Sequence, residues 1–198
     1  PFTNDLFSMK YQIFRPYDTK RTEFKLKESI GNVTVYKNTD KTALAYAMDD
    51  MVKTWDYQDY NPFYVQNDLA TSAFDVDELF HMIETEKPKL NNCKITSDNG
   101  DGEYVFENTS AQPDNMVFTI KSSKARQLYV HFDGSQVENT VIEKNGEQIL
   151  TGRLDSQIIY LGNIQKGDVI RIKMQLKQDD VMSGVCLLYT SPSPRDTR

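Results

Sequence analysis

The chain has 198 residues, 38% apolar and 26% charged, enough to bury a core of its own and too apolar for a disordered polymer. A formal net charge of −6 argues against a nucleic-acid partner. Two cysteines, Cys93 and Cys186, make neither a disulfide framework nor a CxxC metal pair, and apolar runs such as "ALAYAM" fall far short of the roughly 20 residues a membrane span needs.

The chain begins at Pro1 with no basic or apolar leader, which reads as a piece cut from a longer protein. "TNDLFSMKY" offers a polar cap, Thr3 or Asn4, and one helical turn. "YQIFR" and "EFKLKES" read as short strands. "NVTVYKN" alternates, with Asn32 and Asn38 as turn signals at its ends, and "LAYAMDD" is a further strand candidate. Two helices follow. "NPFYVQNDLATSAF" has Asn61 as cap and Pro62 at the first helical position, where a missing N–H does no harm. "DVDELFHMIE" has Asp75 as cap, Glu78 three residues on, and Val76, Leu79, Phe80 and Ile83 at helical spacing. Pro88 ends that pattern.

From residue 90 the period becomes two. "CKITS", "EYVFEN", "NMVFTIKS" and "RQLYVHFDG" are strands divided by "SDNGDG", "SAQPDN" and "SSKA". In the last strand Leu128, Val130 and Phe132 face one way, and Gln127, Tyr129 and His131 the other. "NTVIEKNGEQILTG" holds Asn145-Gly146, a strong hairpin signal. "QIIYLGNIQKGDVIRIKMQL" reads as strand, turn, strand, a hairpin whose second strand sets Ile170, Ile172, Met174 and Leu176 on one face. Such spacing predicts a mainly β protein with short helices (α+β): an antiparallel β-sandwich or jelly-roll-like half over 90–184, preceded by a small mixed α/β half over 1–89. Residues 185–198 change character. "CLLYTSPSPRD" resembles a translated sequencing adapter, so this stretch is expected to be a non-native tail with no regular structure.

Catalytic chemistry is scarce. HExxH, GxSxG and phosphate-cradling glycine loops are absent from the sequence. Cys93 with His81 or His131 could formally make a nucleophile pair, but a lone strand cysteine usually serves as a small buried hydrophobe. "DNGDGE" suggests a calcium loop, yet lacks the alternating ligands and the glutamate at position 12, and reads better as a solvated turn. No catalytic residue, metal or cofactor is expected. The most unusual stretch is "DDMVKTWDYQDYNPFYVQN", where Trp55, Tyr57 and Tyr60 stand among Asp56 and Asp59. Rings stack on sugar faces and carboxylates bind hydroxyls, so these five are the candidate contacts to glycan or membrane surface. The same residues could instead cover a sheet edge.

"NDLFSMKYQIF", "GNVTVYKNTDKTALAYAMDD", "NPFYVQNDL" and "IIYLGNIQKGDVIRIKM", in that order, resemble the extracytoplasmic region of bacterial membrane proteins of the YfhO family. That family runs from a "KY" strand through "VYxN", a "PLGY"-like segment and an "NPFxxQN" helix to sandwich strands ending in "LGxxxxGD". Here "ALAY" replaces "PLGY" at Ala43 to Tyr46. The resemblance implies an extracytoplasmic accessory domain of a polytopic GT-C type glycosyltransferase at the bacterial cell membrane. Such enzymes move sugar from a polyprenyl-phosphate carrier to a cell-surface polymer such as teichoic acid. The implied partners are that glycopolymer or polyprenyl-linked sugar and the transmembrane part of the same chain. The family's catalytic acids would lie upstream of Pro1, and further sandwich strands would follow the point where the tail begins. The competing reading is an independent carbohydrate-binding or adhesion module of a secreted protein. The two differ on whether the gene encodes apolar spans ahead of Pro1.

Overall fold

The computed structural model describes residues 6–15, 24–39, 47–56, 61–76, 78–83, 85–98, 103–109, 114–132, 137–153, 158–176 and 181–191. The chain divides into two compact units, Pro1–His81 and Met82–Arg198.

The first unit holds an antiparallel three-stranded sheet of β1 (Tyr11–Phe14), β2 (Lys25–Ile30) and β3 (Val33–Lys37), in the order β1-β3-β2. Gly31 turns the chain between β2 and β3 at φ 58°, a conformation that costs glycine little. No residue of these three strands is buried. The expected strand in "LAYAMDD" does not form in its described part. Residues 47–49 are irregular and Asp50–Thr54 is a 3-10 turn capped by Asp49, whose side chain accepts from the Met51 N–H. Residues 44–46 lie outside the described residues.

Helix α1 (Pro62–Phe74) starts where expected. Asn61 Oδ1 accepts from the N–H groups of Phe63 (3.0 Å) and Tyr64 (3.4 Å), and Pro62 takes the first helical position. Phe63, Ala70 and Ala73 are buried on one side. The second expected helix is absent from its described residues. Asp75, read as its cap, sits at φ 51° and ends α1 by donating its N–H to the Thr71 carbonyl. Its apolar spacing is better used otherwise. Asn67 grips the backbone of Phe80 by both N–H (2.9 Å) and C=O (2.8 Å), and the Phe80 ring meets Phe63 edge-on at 5.2 Å. Ten residues of helical period are too few to outweigh a tertiary contact that claims the backbone. A two-residue strand, β4 (His81–Met82), follows in place of the helix.

The second unit is an antiparallel β-sandwich. Its strands are β5 (Lys89–Asn91), β6 (Cys93–Asp98), β7 (Glu103–Asn108), β8 (Asp114–Lys121), β9 (Arg126–Phe132), β10 (Val137–Lys144), β11 (Glu147–Gly152), β12 (Ile158–Ile164), β13 (Val169–Leu176) and β14 (Val181–Ser191). One sheet runs β11-β10-β13-β8-β5, the other β12-β9-β14-β7-β6. Inward faces of both supply a single core, including Phe118, Leu128, Val130, Ile142, Ile164, Ile170 and Ile172. Each fully buried side chain of this size contributes about 1.5–3 kcal/mol. The alternation read along β13 holds: Ile170, Ile172, Met174 and Leu176 are buried, Arg171 and Lys173 exposed. In β9, Tyr129 is buried as well as its inward neighbours, with its ring 5.1 Å from that of Tyr160 on β12.

The turn Asn145-Gly146 joins β10 to β11 with both residues at positive φ, 53° and 87°, as a tight hairpin requires. By contrast, residues 157–176 are not a hairpin. β12 pairs with β9 and β13 pairs with β8 and β10, so the turn at 165–168 carries the chain from one sheet to the other. The apolar faces of both strands then meet across the core, which pairing in one sheet would not achieve.

The expectation of no regular structure after residue 184 is also corrected. β14 is an eleven-residue strand whose residues 181–185 pair with β7 and 186–191 with β9. Backbone pairing needs no apolar period, and the donor-less prolines, Pro192 and Pro194, lie beyond its last residue.

Candidate functional site

Of the five expected contact residues, Trp55 and Asp56 are described; Tyr57, Asp59 and Tyr60 lie outside the described residues. Trp55 follows the 3-10 turn and is half-buried, packed with Val52 and Phe74 against Leu6, Leu69 and Ala73. Asp56, next to it, is exposed. The neighbouring Asp50 pairs with Lys53 at 2.6 Å in open solvent, a contact of little energetic weight. Trp55 thus anchors the segment, and its aspartate points to solvent.

The "NPFxxQN" stretch serves α1 itself. Asn61 caps it, Phe63 fills its buried side, Gln66 donates to the Pro62 carbonyl at 3.0 Å, and Asn67 holds Phe80. The "LGxxxxGD" stretch is likewise architectural. Asp168 accepts from the Gln165 N–H (2.8 Å) and from Asn145 Nδ2 (2.8 Å), and pairs with Lys144 (2.9 Å). Those partners, the backbone N–H foremost, hold its carboxyl at about 2, below the ordinary 3.8. Asn145 also accepts from the Val169 N–H, so two turns are locked together.

The histidines and Cys93 do not converge. Cys93 sits in the sandwich core with its Sγ 3.7 Å from the Asn115 carbonyl. His131 lies on β9, separated from β6 by both β14 and β7 in their sheet, and alternates with the inward Val130. His81 pairs with Glu78 at 2.7 Å, both exposed. No group of three or more metal-ligating side chains occurs among the described residues. Residues 99–102, the centre of the calcium-loop candidate, lie outside them.

One cavity in the sandwich unit combines charge with shape. It has a volume of about 350 Å³, with Ile83, Ile120 and Ile164 as apolar wall and Lys121, Ser123 and Arg126 as polar rim. Ser122 fixes the loop between β8 and β9: its N–H donates to the Asp168 carbonyl, its carbonyl accepts from Gly167, and its hydroxyl donates to the Lys124 carbonyl at 2.6 Å. Arg126 donates through Nη2 to Ser123 Oγ (3.2 Å), and its Nε is buried with no partner among the described residues. Neither Lys121 nor Arg126 is in an ion pair with a described carboxylate. A rim of cations and a hydroxyl beside an apolar wall can hold an oxyanion carried on an organic body. Sequence reasoning passed over these residues. The signal was "KSSKAR", three cations in six residues, of which "SSKA" reads as a divider while Lys121 and Arg126 fall at the ends of the strands it separates.

The family model of the bacterial membrane protein YfhO matches residues 1–192. The chain belongs to the YfhO family. The match spans both units and ends one residue past β14. No curated protein matches the chain. Among solved structures, a Podospora anserina GH26-CBM35 β-(1,4)-mannanase is 14% identical, with 59% of this chain and 28% of that one covered and a TM-score of 0.38. A family 35 carbohydrate-binding module from Clostridium thermocellum is 14% identical, covering 57% of this chain and 98% of that one, also at 0.38. A family 29 carbohydrate-binding module from Piromyces equi is 12% identical, covering 60% and 94%, at 0.33. No helix among the described residues of this YfhO-family chain is long and apolar enough to cross a membrane.

Proposed function

We propose that this chain is the extracytoplasmic accessory domain of a polytopic YfhO-family glycosyltransferase. The parent enzyme moves sugar from a polyprenyl-phosphate carrier to a cell-surface polymer such as teichoic acid. The domain holds the anionic polymer and does no chemistry itself. The observation that carries this reading is the cavity rimmed by Lys121, Ser123 and Arg126, whose cations lack described carboxylate partners in a chain of net charge −6. Family membership supports the membrane setting. Asp56 is exposed beside the half-buried Trp55, which supports Asp56, Tyr57, Asp59 and Tyr60 as a second contact for glycan hydroxyls, with Trp55 as its anchor.

The test is calorimetric titration of the 198-residue chain with purified teichoic acid. Saturable binding that weakens about tenfold or more in Arg126→Gln, with an unchanged melting temperature, supports the reading. Binding indifferent to both Arg126→Gln and Lys121→Gln overturns the cavity. Transfer from a polyprenyl-linked sugar by the purified chain, above a heat-inactivated control, overturns the accessory role.

A further inference from the structure

The sheet of the first unit is unlike the sandwich in one respect: it has a full set of apolar residues and buries none of them. Three-stranded sheets need an apolar face against something to be stable. The register defines which residues share a face. Tyr11, Lys37 and Lys25 stand in one row across β1, β3 and β2. Ile13, Val35 and Glu28 form the next, and Val33 and Ile30 the last. Lys27 is the extra residue where the β2 register shifts, and its Nζ lies 4.8 Å from the Tyr11 ring centroid, on the same face. Lys10 approaches the same ring at 5.6 Å. Ile13 and Ile30 are each 64% exposed. Glu28 is the one carboxylate in the three strands.

We propose that this face, with Tyr11, Ile13 and Ile30 among Lys25, Lys27 and Lys37, rests on an anionic lipid headgroup surface. Three observations favour that occupant. The lysines form a local excess of positive charge in a chain whose net charge is −6, so the complement is an anion in the plane of the sheet. The apolar side chains are interleaved with them, and one row carries a tyrosine, the combination suited to a boundary between headgroup and acyl chain. The family is one of membrane proteins, so a bilayer is within reach of the chain. A second copy of the same face is disfavoured, because two lysine rows would oppose each other. The inference stands apart from the polymer cavity, which is in the other unit.

The experiment is flotation of the 198-residue chain with vesicles of 70% phosphatidylcholine and 30% phosphatidylglycerol, against pure phosphatidylcholine, at low and high salt. Binding is expected to the anionic vesicles alone and to fall as salt rises. Replacing Lys25 and Lys27 by glutamine is expected to weaken it roughly fivefold per lysine. Ile13→Ser with Ile30→Ser is expected to weaken it several-fold with an unchanged circular dichroism spectrum, both positions being exposed. The proposal is overturned if the anionic vesicles do not bind, if pure phosphatidylcholine binds equally, or if neither pair of substitutions changes the partition. Self-association lost in the isoleucine variant, without vesicle binding, would also overturn it and assign the face to a contact between copies.

Discussion

Replacing Asn67 by alanine should unseat the segment that follows α1. Asn67 is 7% exposed, donates to the Phe80 carbonyl at 2.8 Å and accepts from the Phe80 N–H at 2.9 Å. Alanine leaves both backbone groups buried without a partner, at about 1–3 kcal/mol each where water does not enter. Partial relaxation brings the sum to roughly 2–4 kcal/mol, since the segment can shift to find solvent. In a chain of 198 residues that lowers the melting temperature by roughly 5–15 °C. The assay is thermal unfolding followed by circular dichroism, with urea midpoints as a check. Asn67→Asp sharpens it. Aspartate keeps the acceptor for the Phe80 N–H but sets a second carboxylate oxygen against the Phe80 carbonyl. That repulsion raises the folded-state pKa, so the variant should regain stability as pH falls toward about 4. An alanine variant within about 0.5 kcal/mol of the parent would refute the account, because Phe80 would then be held by its ring alone.

Asn61→Ala removes the cap of α1 and should cost about 0.5–2 kcal/mol, read as a lower urea midpoint at unchanged slope. Gly146→Ala forces an L side chain to φ 87° with open space around it, so a loss of about 1–2 kcal/mol by the same urea titration should be purely conformational. Asp168 is held at about 2 against an ordinary 3.8, so its contribution is complete above about pH 4 and is lost as pH falls toward 2. Asp168→Asn should be less stable at neutral pH, with a flatter stability profile between pH 4 and 2; parallel profiles would contradict the role given to the Asp168 contacts.

Where local chemistry decides structure, the sequence was legible. Asn61-Pro62 starts a helix and Asn145-Gly146 turns a hairpin because each supplies its own hydrogen bond or backbone angle. The inward row of β13 was equally visible, since a half-buried strand writes its period into the chain. Three of the failures share one cause: a distant partner. Val76, Leu79, Phe80 and Ile83 have helical spacing, but Asn67 captures the Phe80 backbone. Residues 157–176 look like a hairpin, but β9 and β8 claim the two strands. β14 has no readable period, because open edges on two other strands define it. The candidate site follows the same rule. Trp55 stood out by composition, whereas Lys121 and Arg126 acquire meaning only from the loop that Ser122, Gly167 and Asp168 fold together.

The double pairing of β14 makes the order of synthesis matter. Residues 181–185 are the only described hydrogen-bonded link from β7 toward β9, and 186–191 complete it. Until the ribosome has released residue 191, the hairpin of β6 with β7 and the pair of β9 with β12 are separate ribbons, each with an unsatisfied edge facing a vacancy that the nascent chain has yet to fill. The sheet therefore cannot zip from its N-terminal end; it closes in one late event that spans nearly the whole unit. Such long-range closure is slow, and in that interval the edges of β7 and β9 that β14 covers are open to pairing with another molecule.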